Sequence, residues 1–121
     1  MTDASNLIFA LGLALLLAHE MDAIRRREWL MFAGLKSMAD EVAYRVFMLA
    51  HIPLYAVVVA LLLSSHVRTL SYVIDVFLVA HLVVHLGFRR HPANAFNNAV
   101  SFGLILAGGL AGAVHLTLLL T

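Results

Sequence analysis

Four long apolar runs constrain this chain more than any other feature. They cover about residues 6–24, 43–63, 70–88 and 97–120. Each approaches the roughly 20 residues that a helix needs to cross a bilayer. Inside a bilayer every backbone N–H and C=O must be satisfied within the protein, and a helix does this within one segment. The pattern therefore predicts an all-α fold: a single transmembrane domain over 1–121, built as a four-helix bundle. Composition agrees, since 63% of the residues are hydrophobic and only 12% are charged, against about half and a quarter in soluble domains. The formal net charge of +1 carries no basic cluster large enough for nucleic acid. There is no cysteine, which excludes disulfides, thiolate metal sites and thiol redox chemistry. A signal-peptide reading of the first run is set aside. Its start carries Asp3 and no Lys or Arg, and it ends in His-Glu-Met-Asp rather than in a small-residue cleavage site.

The basic residues give an orientation. Arg25, Arg26, Arg27, Lys36 and Arg45 flank the first connection and Arg89 and Arg90 the third, while Arg68 stands alone on the other side. This seven-to-one bias predicts both termini outside and the first and third connections in the cytoplasm. The first connection, Arg25 to Glu41, places Trp29, Phe32 and Leu35, with Met31 and Met38 nearby, among charges at roughly helical spacing. An amphipathic helix lying in the interface, with Trp29 in the aromatic belt, is the expectation. In the third connection Pro92 is expected to break the third helix, and Asn94 or Asn97 to cap the fourth.

Seven histidines are unusual in so short and apolar a chain. His81-Leu82-Val83-Val84-His85 puts two imidazoles one turn apart on one face of the third run. Polar groups at membrane depth are costly, so they usually face the bundle interior and pair there. His19 and Asp22 share a face at the end of the first run, and Glu20 points about 100° away. In the second run Tyr44, Met48, His51 and Tyr55 form one stripe, with a kink expected at Pro53 beside His51. Tyr44 and Tyr55 are the candidates to orient that imidazole. Acidic ends that pair with Arg25 or Arg26, and a histidine bonded to a neighbouring carbonyl, are the plainer readings of these residues. Asp75 lies off the His81/His85 face and is expected to contact Arg68 or His115; no second site is read there. In the fourth run Ser101, Ile105, Gly108, Gly112 and His115 form a stripe, and the two glycines make a small-xxx-small pattern that permits close packing.

His19, His51, His81 and His85 come from three runs and share the cytoplasmic half. In a left-handed bundle they can converge, with Glu20 or Asp22 at the mouth. Three or four imidazoles and a carboxylate suit a transition metal such as zinc, iron, copper or nickel. The zincin motif is absent, because Leu82 and not a glutamate follows His81. The rival cofactor is haem b, held by His51 with His81 or His85. Glu20 and Asp22 are the candidates for metal ligand or general base.

His19-Glu20-Met21-Asp22, followed by Glu28-Trp29, resembles the signature of the HXXEE-type bacterial membrane proteins. His81-x-x-x-His85 stands where that family carries Asn-x-x-x-His. About two thirds of the chain is covered by this resemblance. The chain departs from the pattern at Asp22 and Ala23, which replace the two glutamates, and at His81, which replaces the asparagine. The resemblance implies a small helical protein of a bacterial inner membrane with a polar, metal-dependent site, in a family without a settled function. It supplies no reaction.

Three functional classes follow. The first is a metal-binding protein, catalytic or not, whose lipid-like or small substrate enters from the membrane. The second is a structural accessory subunit of a larger membrane complex or a homo-oligomer. The third is a haem- or quinone-binding redox subunit.

Overall fold

The computed structural model describes residues 2–121. They form four helices and no strand: α1 (Asp3–Arg25), α2 (Asp40–Leu62), α3 (Val67–Gly87) and α4 (Ala99–Leu120). All four are long and apolar enough to cross a membrane. Side chains cap the starts of α1 and α4. The Thr2 hydroxyl accepts from the Ser5 N–H at the start of α1, and the Asn98 side chain accepts from the Ser101 N–H at the start of α4. Asn98 therefore caps α4, rather than Asn94 or Asn97. Asn94 instead holds the turn before it, accepting from the Phe96 N–H and donating to the Arg89 carbonyl. α3 ends at Gly87, five residues before Pro92.

α4 is the packing centre. Besides Gly109, its buried residues Ser101, Ile105, Gly108, Gly112, His115 and Leu119 recur at alternating spacings of four and three, the period of helices that cross at a shallow angle. α1 and α3 both pack along it. Glycine sets the approach. A Cβ at Gly112 would lie 2.9 Å from the Cβ of Leu78 and 3.0 Å from the carbonyl oxygen of Asp75, so α4 touches the backbone of α3 there. A Cβ at Gly109 would overlap Leu82. The small-xxx-small stripe is thus a close helix contact.

α2 stands apart. Only Ala43 and Phe47 of its residues are buried, and they sit at its first half, against the first connection. The rest of α2 leaves clefts between itself and α1 and α3.

The first connection is not an interfacial helix. After α1 the chain turns at Arg27, in the left-handed region at φ 54°, and enters a short 3-10 helix, Glu28–Met31. Trp29 faces the protein and not the aromatic belt. It is 3% exposed, packed with Ala23, Ala43, Phe47, Phe96 and Ile105. The Asp40 carboxylate explains the inward turn. It accepts from the Trp29 indole N–H at 3.1 Å and from the Arg27 guanidinium at 2.7 and 3.0 Å, which fixes both residues against the start of α2. An apolar stripe at helical spacing is buried equally well against lipid or against protein, and here the protein contact wins because Asp40 satisfies the indole N–H.

Candidate metal centre

The end of the bundle that carries the first and third connections gathers four ligand atoms. α1 supplies His19 from its last two turns, and α3 supplies His81 and His85 from the face predicted by their spacing. The 3-10 helix supplies Glu28. His19 and His81 meet Nε2 to Nε2 at 2.9 Å, and His81 and His85 at 3.1 Å. Glu28 Oε2 lies 3.3 Å from His19 Nε2 and 3.9 Å from His85 Nε2. One ligand atom from each residue falls within 4.8 Å of all the others. His19, Glu28 and His85 are buried and His81 is half-buried.

This geometry fits a metal ion. Tetrahedral bonds of about 2.0–2.2 Å put ligand atoms roughly 3.3–3.6 Å apart, and the observed separations bracket that range. Proton chemistry points the same way. An imidazole nitrogen carries either one N–H or one lone pair in the ring plane, so His81 Nε2 cannot make full hydrogen bonds to both His19 and His85. Glu28 Oε2 is buried with no hydrogen-bond partner among the described residues, although it faces the imidazoles. A shared cation satisfies all four atoms at once. Burial pushes the Glu28 carboxyl up. The His19 imidazole beside it and the fields of His85 and His81 outweigh this, and hold it below the usual carboxylate range.

Aromatic rings close the cluster. Phe96, fully buried in the third connection, packs on His19 and His85 at ring distances of 5.4 and 5.0 Å. Both connections on this side fold over the site, Trp29 and Glu28 from one and Phe96 from the other.

His51 and Glu20 form a separate pair. His51 Nδ1 donates to the Phe47 carbonyl at 2.6 Å, and its Nε2 meets Glu20 Oε2 at 2.9 Å. With Nδ1 donating, the second contact requires one proton between Nε2 and Oε2, whichever atom carries it. The backbone carbonyl and Glu20 orient the ring; the Tyr44 hydroxyl bonds Met48 instead, and Tyr55 only packs edge-on. The structure thus brings together three of the four histidines expected to share a metal and places His51 outside the cluster. His51 is held by Glu20 and does not join the cluster of His19, His81 and His85. Asp22 is also not at the cluster. Its Oδ1 pairs with Arg26 at 3.4 Å along α1. The sequence does not mark Glu28 as a ligand while the connection reads as an interfacial helix; its place beside Trp29, in the stretch that resembles the HXXEE signature, is the one signal that could have found it.

A cavity of about 390 Å³ joins the two polar groups. Glu20, His51, Glu28, His81 and His85 reach its wall, and Leu54, Phe77 and Phe88 among others make it apolar. A second cleft of about 260 Å³, lined almost wholly by aliphatic residues of α1, α2 and α3, also reaches Glu20.

Fold and site together define an all-helical, membrane-type protein with a buried histidine–glutamate cluster able to hold a metal. The chain belongs to the DUF6713 family of unknown function, whose profile matches residues 5–121. No curated protein and no solved structure shows significant similarity to it.

Proposed function

We propose that this protein binds one transition metal ion through His19, Glu28, His81 and His85, and that Glu20 and His51 are the acid–base pair of a reaction on a lipid-like substrate. The observation that carries the proposal is the convergence of three imidazole nitrogens and one carboxylate oxygen from three separate segments within 4.8 Å. Nitrogen and carboxylate donors without thiolate suit zinc, iron or copper. A metal in such a site supplies Lewis acidity or an activated water. The residues of the chain do the rest. The Glu20–His51 pair holds a proton facing the same cavity as the cluster. The apolar walls and the loose packing of α2 admit an acyl or isoprenoid chain from the membrane side. The resemblance to HXXEE-type proteins supports this reading, since His19 and Glu28 both fall in its signature stretch.

Elemental analysis of protein purified without chelator, after growth with added zinc, iron and copper, tests the proposal. About one metal per chain is expected, lost in His85→Ala and kept in the exposed His66→Ala control. A metal-free wild-type protein that melts cooperatively would leave a structural accessory role in its place.

A further inference from the structure

The opposite end of the bundle holds a second polar group, made of Ser5 on α1, Asp75 on α3 and His115 on α4. His115 Nδ1 lies 2.7 Å from Asp75 Oδ2, and His115 Nε2 lies 2.9 Å from Ser5 Oγ. Asp75 thus meets His115, one of the two partners expected for it. The three side chains are 1%, 0% and 5% exposed in the order Asp75, His115, Ser5. A carboxylate accepts from Nδ1–H, which leaves the lone pair on Nε2, so the serine hydroxyl donates to it. This is the arrangement in which a histidine takes a proton from a nucleophilic serine while an acid fixes its tautomer, and it is recognised by geometry and not by order in the chain.

We propose that Ser5, His115 and Asp75 form a second catalytic centre, a serine hydrolase acting on a carboxylic ester. Three observations beyond the triad distances support it. Ser5 lines a cavity of about 300 Å³, the route by which a substrate would approach its buried side chain. Leu118 and Leu119 give that cavity an apolar wall for an acyl chain, while Thr2, Thr121 and Arg68 give it a polar one. The packing brings the three groups together deliberately close: Gly112, three residues before His115, lets α4 approach the Asp75 backbone, and Phe9 covers the His115 ring at 5.4 Å.

The chemistry balances with water alone. The Ser5 oxygen bonds to the ester carbonyl carbon as its proton passes to His115 Nε2. The tetrahedral oxyanion collapses, the bond to the alcohol oxygen breaks, and that oxygen leaves with the proton from His115. Water then attacks acyl-Ser5 by the same route and releases the carboxylic acid. Asp75 stabilises the imidazolium in both halves. Arg68, on the cavity wall, is the cation available to the oxyanion or to an anionic alcohol portion.

The test uses the full chain in detergent with an alkyl fluorophosphonate probe, followed by peptide mapping, and with p-nitrophenyl butyrate as substrate. Labelling of Ser5 is expected, with none in Ser5→Ala. Ester hydrolysis should fall about a thousandfold or more in His115→Gln and Asp75→Asn. Because those two variants also remove a buried polar contact, Ser5→Ala carries the decision: it deletes one oxygen, and thermal unfolding checks its fold. Stripping metal with a chelator should leave labelling of Ser5 unchanged, which separates this centre from the metal cluster. A folded wild-type protein that the probe does not label at Ser5, or labelling that survives Ser5→Ala, would overturn the proposal and leave the three residues as a polar clasp between helices.

Discussion

Glu28 brings the one negative charge to a cluster of three imidazoles, and both its burial and its position follow from its neighbours. Trp29 anchors the 3-10 helix in the core, so the residue before it is turned toward His19. Glu28→Gln keeps the shape and removes the charge. It should weaken metal binding by more than the roughly 10- to 100-fold typical of losing an outer-shell partner, measured by competition with a chelating dye. Glu20→Gln, at the neighbouring pair, should retain the metal. The pH dependence has a definite sign. The Glu28 carboxyl titrates below its ordinary 4.5 in the folded chain, so the stability it contributes is complete above that value and is lost as pH falls through the lower folded one. Melting curves of the metal-free protein should therefore drop more steeply below pH ~4.5 in wild type than in Glu28→Gln. Parallel curves for the two proteins would show that Glu28 gains nothing from the imidazoles.

At the scale of the element, α4 decides the packing and the first connection decides the site. Gly112→Ala places a methyl 2.9 Å from the Leu78 Cβ and 3.0 Å from the Asp75 carbonyl, where a rigid backbone cannot yield. Overpacking of this kind costs about 1–3 kcal/mol, so thermal unfolding in detergent should come at a lower temperature while bound metal is retained to the melt. A variant that loses metal first and keeps its melting temperature would mean that α4 shapes the cluster directly. Trp29→Ala should cost about 3–5 kcal/mol and also release Glu28, so stability and metal content should fall together. These elements were legible to different degrees. The spans and the glycine stripe are periodic, and periodicity survives in sequence. The His81/His85 face is local to one helix, so its spacing was enough. The inward fold of residues 28–31 was not legible, because it depends on Asp40 reaching Arg27 and Trp29 from 13 and 11 residues away. Nor was the separation of His51 from the other histidines. Depth along α2 is readable from residue counts, but its placement beside α1 involves contacts distant in sequence, His51 with Glu20 and Phe47 with Trp29.

On the scale of the whole molecule, one α1–α3–α4 core carries two buried polar groups at its two ends. Along α1, Ser5 and His19 are separated by 14 residues, about 21 Å of helix. The core between them is apolar, with Phe9, Ile74 and Leu78 packed at its centre. The charges divide in the same way. The seven basic residues of the first and third connections lie at the end of the metal cluster, and Arg68 at the other. Arginine and lysine retained on one side of a bilayer mark the cytoplasmic face. The orientation expected is therefore one with the histidine–glutamate cluster toward the cytoplasm and the Ser5 cavity toward the outside. Because the chain has no cysteine, a single introduced thiol reports its side without interference. Ser37 and Ser65 are exposed on opposite connections, so Ser37→Cys and Ser65→Cys are suitable positions. In intact cells a membrane-impermeant maleimide should label Ser65→Cys, and should reach Ser37→Cys only after the membrane is opened. Labelling of Ser37→Cys alone in intact cells would invert the molecule. The metal cluster would then draw its ion from outside, against the charge distribution of the chain.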